Sequence, residues 1–290
     1  MSVKINRDGV KILIIYNPIK DGASELAAEI SALLRESGFV PCVYGENSLN
    51  ADKLGAEVVE TPALCHFIIT VGGDGTILRW GKLAAECELP LLGVNMGRLG
   101  FMATLEPSEI DRIPELLKGD PAISRRILLK CELLREDKTV FSENLINDVI
   151  VSRSSRSKLP EYIVSVGDTE VSRTRADGVI LSTPTGSTAY SLSAGGPILS
   201  PELECIEFTA LCPHTLFNRP MIFSDKQPVT VTVRNYQNSK ATFSVDGGKS
   251  IPFLDGDLLR LTRSEYNLEI IETGEGFYGA IHNKLITPMK

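Results

Sequence analysis

The first 120 residues alternate between strand and helix patterns, and this alternation constrains the fold more than any other feature. Continuous apolar runs at 12–16, 67–71 and 91–94 have the length of buried strands. A helical repeat of leucine and isoleucine over 26–34 and a further strand pattern at 40–44 lie between the first two runs. Buried strands that alternate with amphipathic helices form parallel sheets, and their ligand-binding loops lie at the carboxyl ends of the strands. The pattern therefore predicts an α/β domain built on a parallel sheet.

The pattern changes near residue 122. Short strand patterns separated by turns follow, at 127–135, 140–145, 162–166, 171–174, 179–182, 229–233, 242–245, 258–261 and 268–271. Gly119-Asp120-Pro121 is a turn-forming break between the two patterns. We therefore expect an α/β domain over residues 1–121 and a β-rich domain over residues 122–270.

A glycine-rich loop holds a carboxylate at the end of a predicted strand. Gly72-Gly73-Asp74-Gly75 follows the 67–71 run and precedes a helix-compatible segment. Glycines let backbone N–H groups approach a polyphosphate, and the N-terminus of the following helix adds its positive dipole end. In such a loop Asp74 is expected to accept a proton from an attacking hydroxyl, to orient that hydroxyl, or to meet a metal carried by the phosphates. The alternative is a tight turn in which Asp74 supplies a cap.

Two further motifs place polar groups next to strands. Asn95-Met96-Gly97-Arg98-Leu99-Gly100-Phe101 follows the 91–94 run and predicts a second backbone-lined wall beside the first glycine loop. Asn147-Asp148 precedes a strand-like run at 149–152. An amide and a carboxylate together can read an adenine edge and chelate a ribose diol. A tight loop and a plain Asn-Asp turn are the alternatives.

The segment 177–197 is the most informative long stretch of the chain. It holds seven serine and threonine side chains between Ser182 and Ser193, a density that is hard to assign to a core. Hydroxyls and backbone amides around Gly186 can bind oxygens of a ligand, and Tyr190 can stack on a planar base. The alternative is a hydroxyl-rich loop followed by an N-capped helix.

Composition limits the remaining classes of function. With 290 residues, 43% of them hydrophobic and 23% charged, the chain can form one large or two moderate domains. Its apolar runs are of strand length, so no membrane span is predicted, and residues 1–8 lack an apolar signal core, so a cytoplasmic location is expected. The six cysteines show no CxxC pair and are expected to be reduced core residues.

The charge pattern argues against nucleic-acid binding but leaves phosphate ligands open. The net charge is −7, which disfavours a nucleic-acid surface. A local group of basic residues can still hold pyrophosphate oxygens, although a solvated loop face explains it equally well. This group consists of Arg153, Arg156, Lys158, Arg173 and Arg175.

Taken in order, these motifs resemble those of the NAD kinases, the enzymes that phosphorylate the adenosine 2′-hydroxyl of NAD. Gly72-Gly73-Asp74-Gly75-Thr76-Ile77-Leu78 looks like the first signature of that family, Asn147-Asp148 like its Asn-Glu/Asp pair, and 177–193 like its long signature. The resemblance covers about residues 65–250. Three shorter stretches also match in order, namely 95–101, Pro213-His214-Thr215-Leu216 and Arg219-Pro220.

The resemblance implies roles for residues near the reacting groups. Asp74 would be the proton acceptor, with Gly75 beside the dinucleotide and Arg79 on the following helix. Asn147 and Asp148 would contact the adenosine part. Residues implied to lie in the phosphate region are Gly72, Gly73, His214 and Gly248, with a core position as the alternative for His214.

The resemblance also implies contacts to the rest of the dinucleotide. Asp177 would contact the nicotinamide carboxamide, and Lys158 and Arg175 fall where the family has basic ligand contacts. The pocket would be lined by Thr188, Ala189, Tyr190, Ser191, Leu192 and Ser193. One departure stands at Asp246-Gly247-Gly248, where many members have Asp-Gly-Gln, so one ligand contact would pass to backbone or water.

The implied fold is a phosphofructokinase-like α/β domain and a β-rich domain, with residues 271–290 returning to the first domain. Members work as homodimers or homotetramers, with ATP or polyphosphate as the phosphoryl donor and Mg²⁺ or Mn²⁺ carried by that donor. Two alternatives remain: another Gly-Gly-Asp-Gly kinase that acts on a sugar phosphate or lipid, and an NAD(P) sensor without catalysis. The motifs at 147–148 and 177–193 disfavour the first, and the presence of Asp74 disfavours the second.

Overall fold

Parallel and antiparallel strands occupy different parts of the chain. The computed structural model describes residues 9–97, 100–103, 105–119, 121–154, 158–215, 218–234, 240–274 and 276–286. Five residues of the motifs above lie outside the described residues, namely Arg98, Leu99, Asp120, Arg156 and Leu216. The structure forms two units, one of residues 1–125 with 268–290 and one of residues 126–267. The domain limits expected at residues 121 and 270 remain a prediction of which segments fold independently.

The first unit is built on a parallel sheet with helices between its strands. The elements that precede the second unit are β1 (Lys11–Tyr16), α1 (Ala23–Glu36), β2 (Val40–Val43), α2 (Ala51–Leu54), β3 (Glu57–Val58), β4 (Phe67–Gly72), α3 (Asp74–Glu86), β5 (Leu91–Asn95) and α4 (Ile113–Lys118). The strand order is β5-β4-β1-β2-β3, and every neighbouring pair is parallel. The predicted parallel sheet is therefore confirmed.

Antiparallel strands form the second unit. Its elements are β6 (Ile123–Arg135), β7 (Lys138–Leu145), β8 (Asp148–Arg153), β9 (Glu161–Val166), β10 (Thr169–Arg175), β11 (Gly178–Ser182), α5 (Tyr190–Ser193), β12 (Cys205–Leu211), β13 (Met221–Ser224), β14 (Val229–Arg234), β15 (Ala241–Val245), β16 (Ile251–Phe253) and β17 (Leu258–Ile271). One sheet has the order β13-β12-β11-β8-β15-β16. Strands β10, β9, β14 and β17 pair in that order, and β6 pairs with β17 and β7.

Each unit has its own hydrophobic core. In the first unit, β1 and β4 are buried on both faces, as strands covered by helices on both sides require. Helix α1 contributes Leu26, Ile30 and Leu34 to this core. In the second unit, apolar residues of both antiparallel layers meet, for example Tyr162 and Phe243. The predicted β-rich second half is confirmed.

The structure differs from the strand prediction at β17 and β12, and the short strands β3, β13 and β16 were not predicted. The predicted strands 258–261 and 268–271 are one continuous strand, β17, whose polar middle resembled a turn; its end pairs in parallel with β5, and helix α6 (Gly276–Ile281) follows it. Strand β12 escaped prediction because a fully buried Glu207 interrupts its apolar run. The cysteines are free, but Cys212 is exposed and Cys87 half-buried, so these two are not core residues.

Replacement of Gly93 by alanine is expected to destabilise the first unit. A Cβ at this position of β5 would lie 2.7 Å from Ile77 Cδ1 and 2.8 Å from the Cα of Ala103. Because Ala103 is backbone, the overlap cannot be relieved by a side-chain rotation, and overpacking of this kind costs about 1–3 kcal/mol. Urea unfolding of Gly93→Ala measures the loss. Gly119→Ala is the control, since its Cβ would meet no atom within 4 Å; equal stability of the two variants would contradict the packing argument.

Candidate active site

Three loops of the first unit are bound to one another at the carboxyl edge of its sheet. They follow β1, β4 and β5, which are adjacent in the sheet. The backbone N–H of Asn17 donates to Val71 O (3.1 Å), and that of Met96 donates to Gly72 O (2.9 Å). This edge is where open α/β sheets bind ligands. The two glycine loops predicted from the sequence therefore do stand side by side.

Asp74 is the first residue of α3, and its carboxylate holds the loop that follows β5. Oδ2 accepts a hydrogen bond from the N–H of Phe101 (2.8 Å), and Oδ1 accepts from Met102 (3.1 Å) and Ala103 (3.0 Å). A Cβ on Gly100 would overlap Asp74 Oδ1, so only glycine lets this loop approach so closely. Asp74 is thus a cross-link between two motifs as well as a candidate proton acceptor.

The remaining acceptor capacity of Asp74 is small and directed. An ionised carboxylate has about four lone-pair sites, and the three backbone donors occupy three of them. About one site is left for a substrate hydroxyl or a metal. The sequence interpretation as a plain helix cap is wrong for this side chain, because its described partners lie 27 to 29 residues away, in another loop.

The glycines beside Asp74 serve different purposes. A Cβ on Gly72 would overlap Thr76 Oγ1, so packing within the protein requires glycine there. A Cβ on Gly75 would meet no atom within 4 Å. Among the described residues, nothing therefore requires glycine at position 75, which fits a backbone that a ligand approaches. One turn later, Arg79 pairs with Glu46 (3.0 Å) and lies over the ring of Trp80.

Sequence analysis missed Lys20, which lies at the same edge. It belongs to the turn between β1 and α1, and its Nζ donates to Gly72 O at 2.8 Å. The same Nζ lies 3.1 Å from the position that a Cβ on Gly97 would take. The signal that would have found it is the turn-forming Asn17-Pro18 placed directly after the first predicted strand.

The second unit repeats the carboxylate cross-link. Asp246, in the turn after β15, accepts hydrogen bonds from the backbone N–H groups of Ile146 (3.0 Å), Asn147 (2.7 Å) and Asp148 (3.2 Å). Asn147-Asp148 is therefore held from outside its own strand. The Oδ1 of Asn147 is buried and has no hydrogen-bond partner among the described residues, so it is available to a donor of a ligand.

Asp148 is a buried carboxylate with two acidic neighbours. Its side chain is only 4% exposed. Burial and, to a smaller extent, the negative charges of Asp246 and Glu207 together raise the pKa of Asp148 to about 7. A carboxyl group that changes protonation near neutral pH is characteristic of functional sites.

Most hydroxyls of the 177–193 signature are used inside the protein. Ser182, Ser191 and Thr209 donate to the fully buried Glu207, at 3.1, 2.6 and 3.1 Å. Burial raises the pKa of Glu207, and these three hydrogen bonds oppose the rise. Thr183 Oγ1 donates to Ile146 O (2.6 Å). The hydroxyl density that suggested ligand binding therefore builds the scaffold in large part.

Gly186 joins the long signature to the Asn147-Asp148 motif. A Cβ on Gly186 would overlap the backbone carbonyl of Asn147, and the N–H of Thr183 donates to that same carbonyl oxygen at 2.8 Å. These two motifs, predicted separately from the sequence, are thus in contact.

The predicted pocket-lining residues form a short helix and the turn before it. Tyr190 is 47% exposed, so its ring is available for stacking. Ser193 is exposed, and Thr188, Ala189 and Leu192 are half-buried. Ser191 is fully buried against Glu207, so any contact of its side chain with a ligand would require that hydrogen bond to break.

The remaining predicted residues lie at strand ends of the second unit. Asp177 pairs with Arg153 (2.9 Å between Oδ1 and Nε). His214 is exposed rather than a core residue, and its N–H donates to Arg175 O (2.7 Å). Lys158 is exposed. A Cβ on Gly248 would lie 2.9 Å from Val245 O, so the turn is too tight for the glutamine that many family members carry.

The described residues contain no group of three or more His, Cys, Asp and Glu side chains arranged to hold a metal ion. Asp74 has room for one further contact, as the count of its acceptor sites shows. The donor set therefore suits a metal that brings most of its own ligands, such as one bound to phosphates.

No helix in the described part of the chain is long and apolar enough to cross a membrane.

Comparison with known proteins identifies the class from both halves of the chain. Residues 12–120 match the family described as ATP-NAD kinase N-terminal domain, and residues 146–273 match the ATP-NAD kinase C-terminal domain. The protein is therefore a phosphotransferase of the kinase class. The chain belongs to the NAD kinase family.

Similar proteins agree with both matches. An NAD kinase of Geobacter metallireducens is 31% identical over 279 residues, which are 95% of this chain and 98% of the relative. An NAD kinase from Archaeoglobus fulgidus, solved in complex with ATP, is 25% identical with a TM-score of 0.73 over 94% of this chain and 99% of that one. A yeast NADH kinase complexed with NADH shares the fold, at 24% identity and a TM-score of 0.84 over 98% and 89%.

The raised pKa of Asp148 predicts a stability difference that grows with pH. The folded state holds a proton on Asp148 up to a pKa of about 7, whereas the unfolded chain loses it near 4. Stability from this group is full below pH 4 and is lost as pH rises to 7 and above. Relative to the native protein, Asp148→Asn is expected to gain about 2–3 kcal/mol of unfolding free energy between pH 5 and pH 8.

Chemical unfolding at both pH values measures this difference. Asp168→Asn, which removes an exposed carboxylate of the same unit, serves as the control. A difference between Asp148→Asn and the native protein that stays constant from pH 5 to pH 8 would refute the assignment.

Proposed function

We propose that this chain transfers the terminal phosphoryl group of ATP to the adenosine 2′-hydroxyl of NAD and so produces NADP. Membership of the NAD kinase family supports the reaction, and the complex of the Archaeoglobus fulgidus enzyme with ATP supports the donor. The observation that carries the proposal is Asp74, a carboxylate fixed by three backbone N–H groups beside a glycine loop. Polyphosphate is the alternative donor.

Asp74 acts as the proton acceptor in this proposal. As the 2′-oxygen attacks the terminal phosphorus, its proton passes to the acceptor site that the backbone donors leave open. The three N–H contacts restrict rotation of the carboxylate, so the open site keeps one direction, and such preorganisation lowers the cost of reaching the transition state. The fixed carboxylate orients the hydroxyl before it accepts the proton.

The glycine loop and the start of α3 bind the phosphates. Gly75 has open space where a side chain would stand, and Gly72 and Gly73 precede the helix N-terminus, whose N–H groups favour anions. A divalent cation, Mg²⁺ or Mn²⁺, would arrive bound to the donor phosphates and neutralise charge on the transferred group. Asp74 would be its one protein ligand at most. Arg79 lies one turn along the same helix and adds positive charge.

Residues of the second unit bind the dinucleotide. Asn147 contributes its unpartnered Oδ1 to the adenine, and Asp148 contributes its carboxylate to the ribose diol. Asp177 accepts hydrogen bonds from the nicotinamide carboxamide, and Tyr190 stacks on a planar ring. Around Tyr190, Thr188, Ala189, Leu192 and Ser193 supply the wall, with Ser191 contributing backbone because its hydroxyl bonds Glu207. Lys158 and Arg175 supply basic contacts to the dinucleotide, and His214 and the backbone of Gly248 serve the phosphate region.

The assembly and its surroundings complete the proposal. The enzyme works as a homodimer or homotetramer in the cytoplasm, as the family resemblance implies. Its macromolecular partners are copies of itself, and the net charge of −7 disfavours nucleic acid.

Turnover is expected to require a divalent cation. The described residues offer no metal cluster of their own, so the charge on the donor phosphates must be neutralised largely by a metal that travels with them. Purified protein, NAD, ATP and Mg²⁺ should yield NADP, detected with an NADP-specific dehydrogenase. EDTA should abolish the reaction, and Mg²⁺ or Mn²⁺ should restore it. Undiminished turnover in metal-free buffer would exclude this role of the metal.

Asp74→Asn is expected to lower kcat by about 10²–10⁴-fold, because the amide cannot accept the proton. It should also destabilise the fold, since the amide NH₂ would face at least one backbone N–H that the carboxylate now accepts. Initial rates at saturating substrates and thermal unfolding measure the two effects.

Gly100→Ala separates chemistry from loop anchoring. Its Cβ would push the loop and Asp74 apart, which loosens the orientation of the carboxylate but keeps its charge and basicity. If Asp74 accepts the proton, Asp74→Asn loses at least tenfold more kcat than Gly100→Ala, with both compared well below their melting temperatures. Equal losses would mean that Asp74 only anchors the loop.

A further inference from the structure

Lys20 is presented by a rigid turn. The N–H of Lys20 donates to Asn17 O, and the N–H of Ala23 donates to Lys20 O, both at 3.1 Å. The side-chain Oδ1 of Asn17 accepts from the N–H of Ile19 (3.1 Å), and Pro18 restricts the same turn. The N–H of Asn17 in turn donates to the carbonyl oxygen of Val71, which lies in β4 directly before the Gly-Gly-Asp-Gly motif. The backbone that carries Lys20 is therefore fixed with respect to that loop.

The ammonium group of Lys20 lies between the two glycine loops. Nζ donates to Gly72 O at 2.8 Å. It lies 3.1 Å from the position of a Cβ on Gly97 and 4.0 Å from that of a Cβ on Gly73, the residue immediately before Asp74. A side chain at 97 would crowd this cation, and one at 73 would lie in van der Waals contact with it, so Gly97 keeps its surroundings open.

The hydrogen bonds of Lys20 leave part of its capacity unused. An ammonium group has three N–H donors, and the bond to Gly72 O uses one of them. Lys20 is half-buried, and no carboxylate in the described part of the chain forms an ion pair with it. A neutral donor would suffice to bind Gly72 O. A lysine at this half-buried position costs desolvation energy in addition, because its compact ammonium group is strongly hydrated.

We propose that Lys20 is a further phosphate-binding residue of the reaction, which contacts the terminal phosphoryl group of the donor and stabilises the charge on its oxygens during transfer. The inference rests on the proposed function, since it assigns the donor's phosphates to the Gly72–Asp74 loop. Positive charge near the transferred oxygens is a general requirement of phosphoryl transfer, and Arg79, the other cation assigned to this region, is already paired with Glu46.

Lys20 takes no part in proton transfer during the reaction. The bond between the terminal phosphorus and its bridging oxygen breaks, and that oxygen keeps the electron pair as part of ADP. A bond forms between the same phosphorus and the 2′-oxygen of NAD, whose proton passes to Asp74. Lys20 keeps all its protons and acts only through its charge and its N–H donors.

Three substitutions separate the charge of Lys20 from its hydrogen bond to Gly72. Lys20→Gln keeps an N–H donor for Gly72 O but removes the charge, Lys20→Arg keeps the charge, and Lys20→Met removes both. If the charge matters, Lys20→Gln and Lys20→Met lower kcat/KM for ATP by about 10²-fold, whereas Lys20→Arg retains much more. The dissociation constant for NAD should stay within a few-fold in all three variants.

Lys53→Met is the matched control. Lys53 lies in α2 of the same unit, is exposed, and pairs with Glu25 at 2.9 Å. Its loss removes the same unit charge without touching the glycine loops, so kinetics with ATP should not change beyond the small effect of net charge.

Calorimetric titration with Mg²⁺-tripolyphosphate tests the contact without chemistry. Lys20→Gln should bind this probe more weakly than the native protein, and its binding should depend less on ionic strength, since one fewer cation is screened. A purely structural lysine predicts the reverse ranking, with Lys20→Gln near native and Lys20→Met impaired together with its melting temperature.

The outcomes separate the two proposals. Native kinetics and native tripolyphosphate binding in Lys20→Gln would overturn the role of Lys20 while leaving NADP formation by the native protein intact. Absence of NADP formation by the native protein would instead overturn the proposed function. If Lys20→Met fails to fold, Lys20→Gln and Lys20→Arg still decide the question.

Discussion

A carboxylate that accepts several backbone N–H groups from a distant loop is the interaction on which the rest of the structure depends. Asp74 does this in the first unit and Asp246 in the second. A hydrogen bond to a charged group contributes about 1.5–3 kcal/mol, more than a neutral one. Each carboxylate therefore fixes a loop that adjoins a strand. In both units, the loop so fixed carries, or directly adjoins, residues of the site.

This interaction also explains why the signatures consist of glycine. A loop that turns three N–H groups towards one carboxylate must come within van der Waals contact of it, and Gly100 is the residue at that point. Gly186 plays the same part where the long signature meets Asn147. Glycine loses more conformational freedom on folding than any other residue. At these positions it allows close approach between segments that are far apart in sequence.

The sequence indicated the residues of the site better than their contacts. Periodicity located the strands of the parallel sheet because buried strands are uniformly apolar, and the motif glycines marked the loops. Periodicity failed at β12, where Glu207 is buried by three hydroxyls that lie elsewhere in the chain, and at β17, where polar residues continue a strand. Lys20 was missed because its neighbours, Gly72 and Gly97, are brought to it only by the sheet. Contacts of this kind depend on tertiary structure, so a local signal such as the turn-forming Asn17-Pro18 marks the loop but not the groups that Lys20 contacts.

The inward-facing hydroxyls of the long signature affect how experiments on it should be interpreted. An alanine scan across 182–193 would remove the hydrogen bonds that Ser182 and Ser191 donate to Glu207. It would also remove the hydrogen bond by which Thr183 holds the loop before Asn147. Each of these replacements removes a hydrogen bond from a buried polar group, and a buried group left without any partner costs about 1–3 kcal/mol. At a single assay temperature, the resulting fall in active protein would look like lost affinity. Only the outward-facing positions, such as Tyr190 and Ser193, would report on the ligand itself.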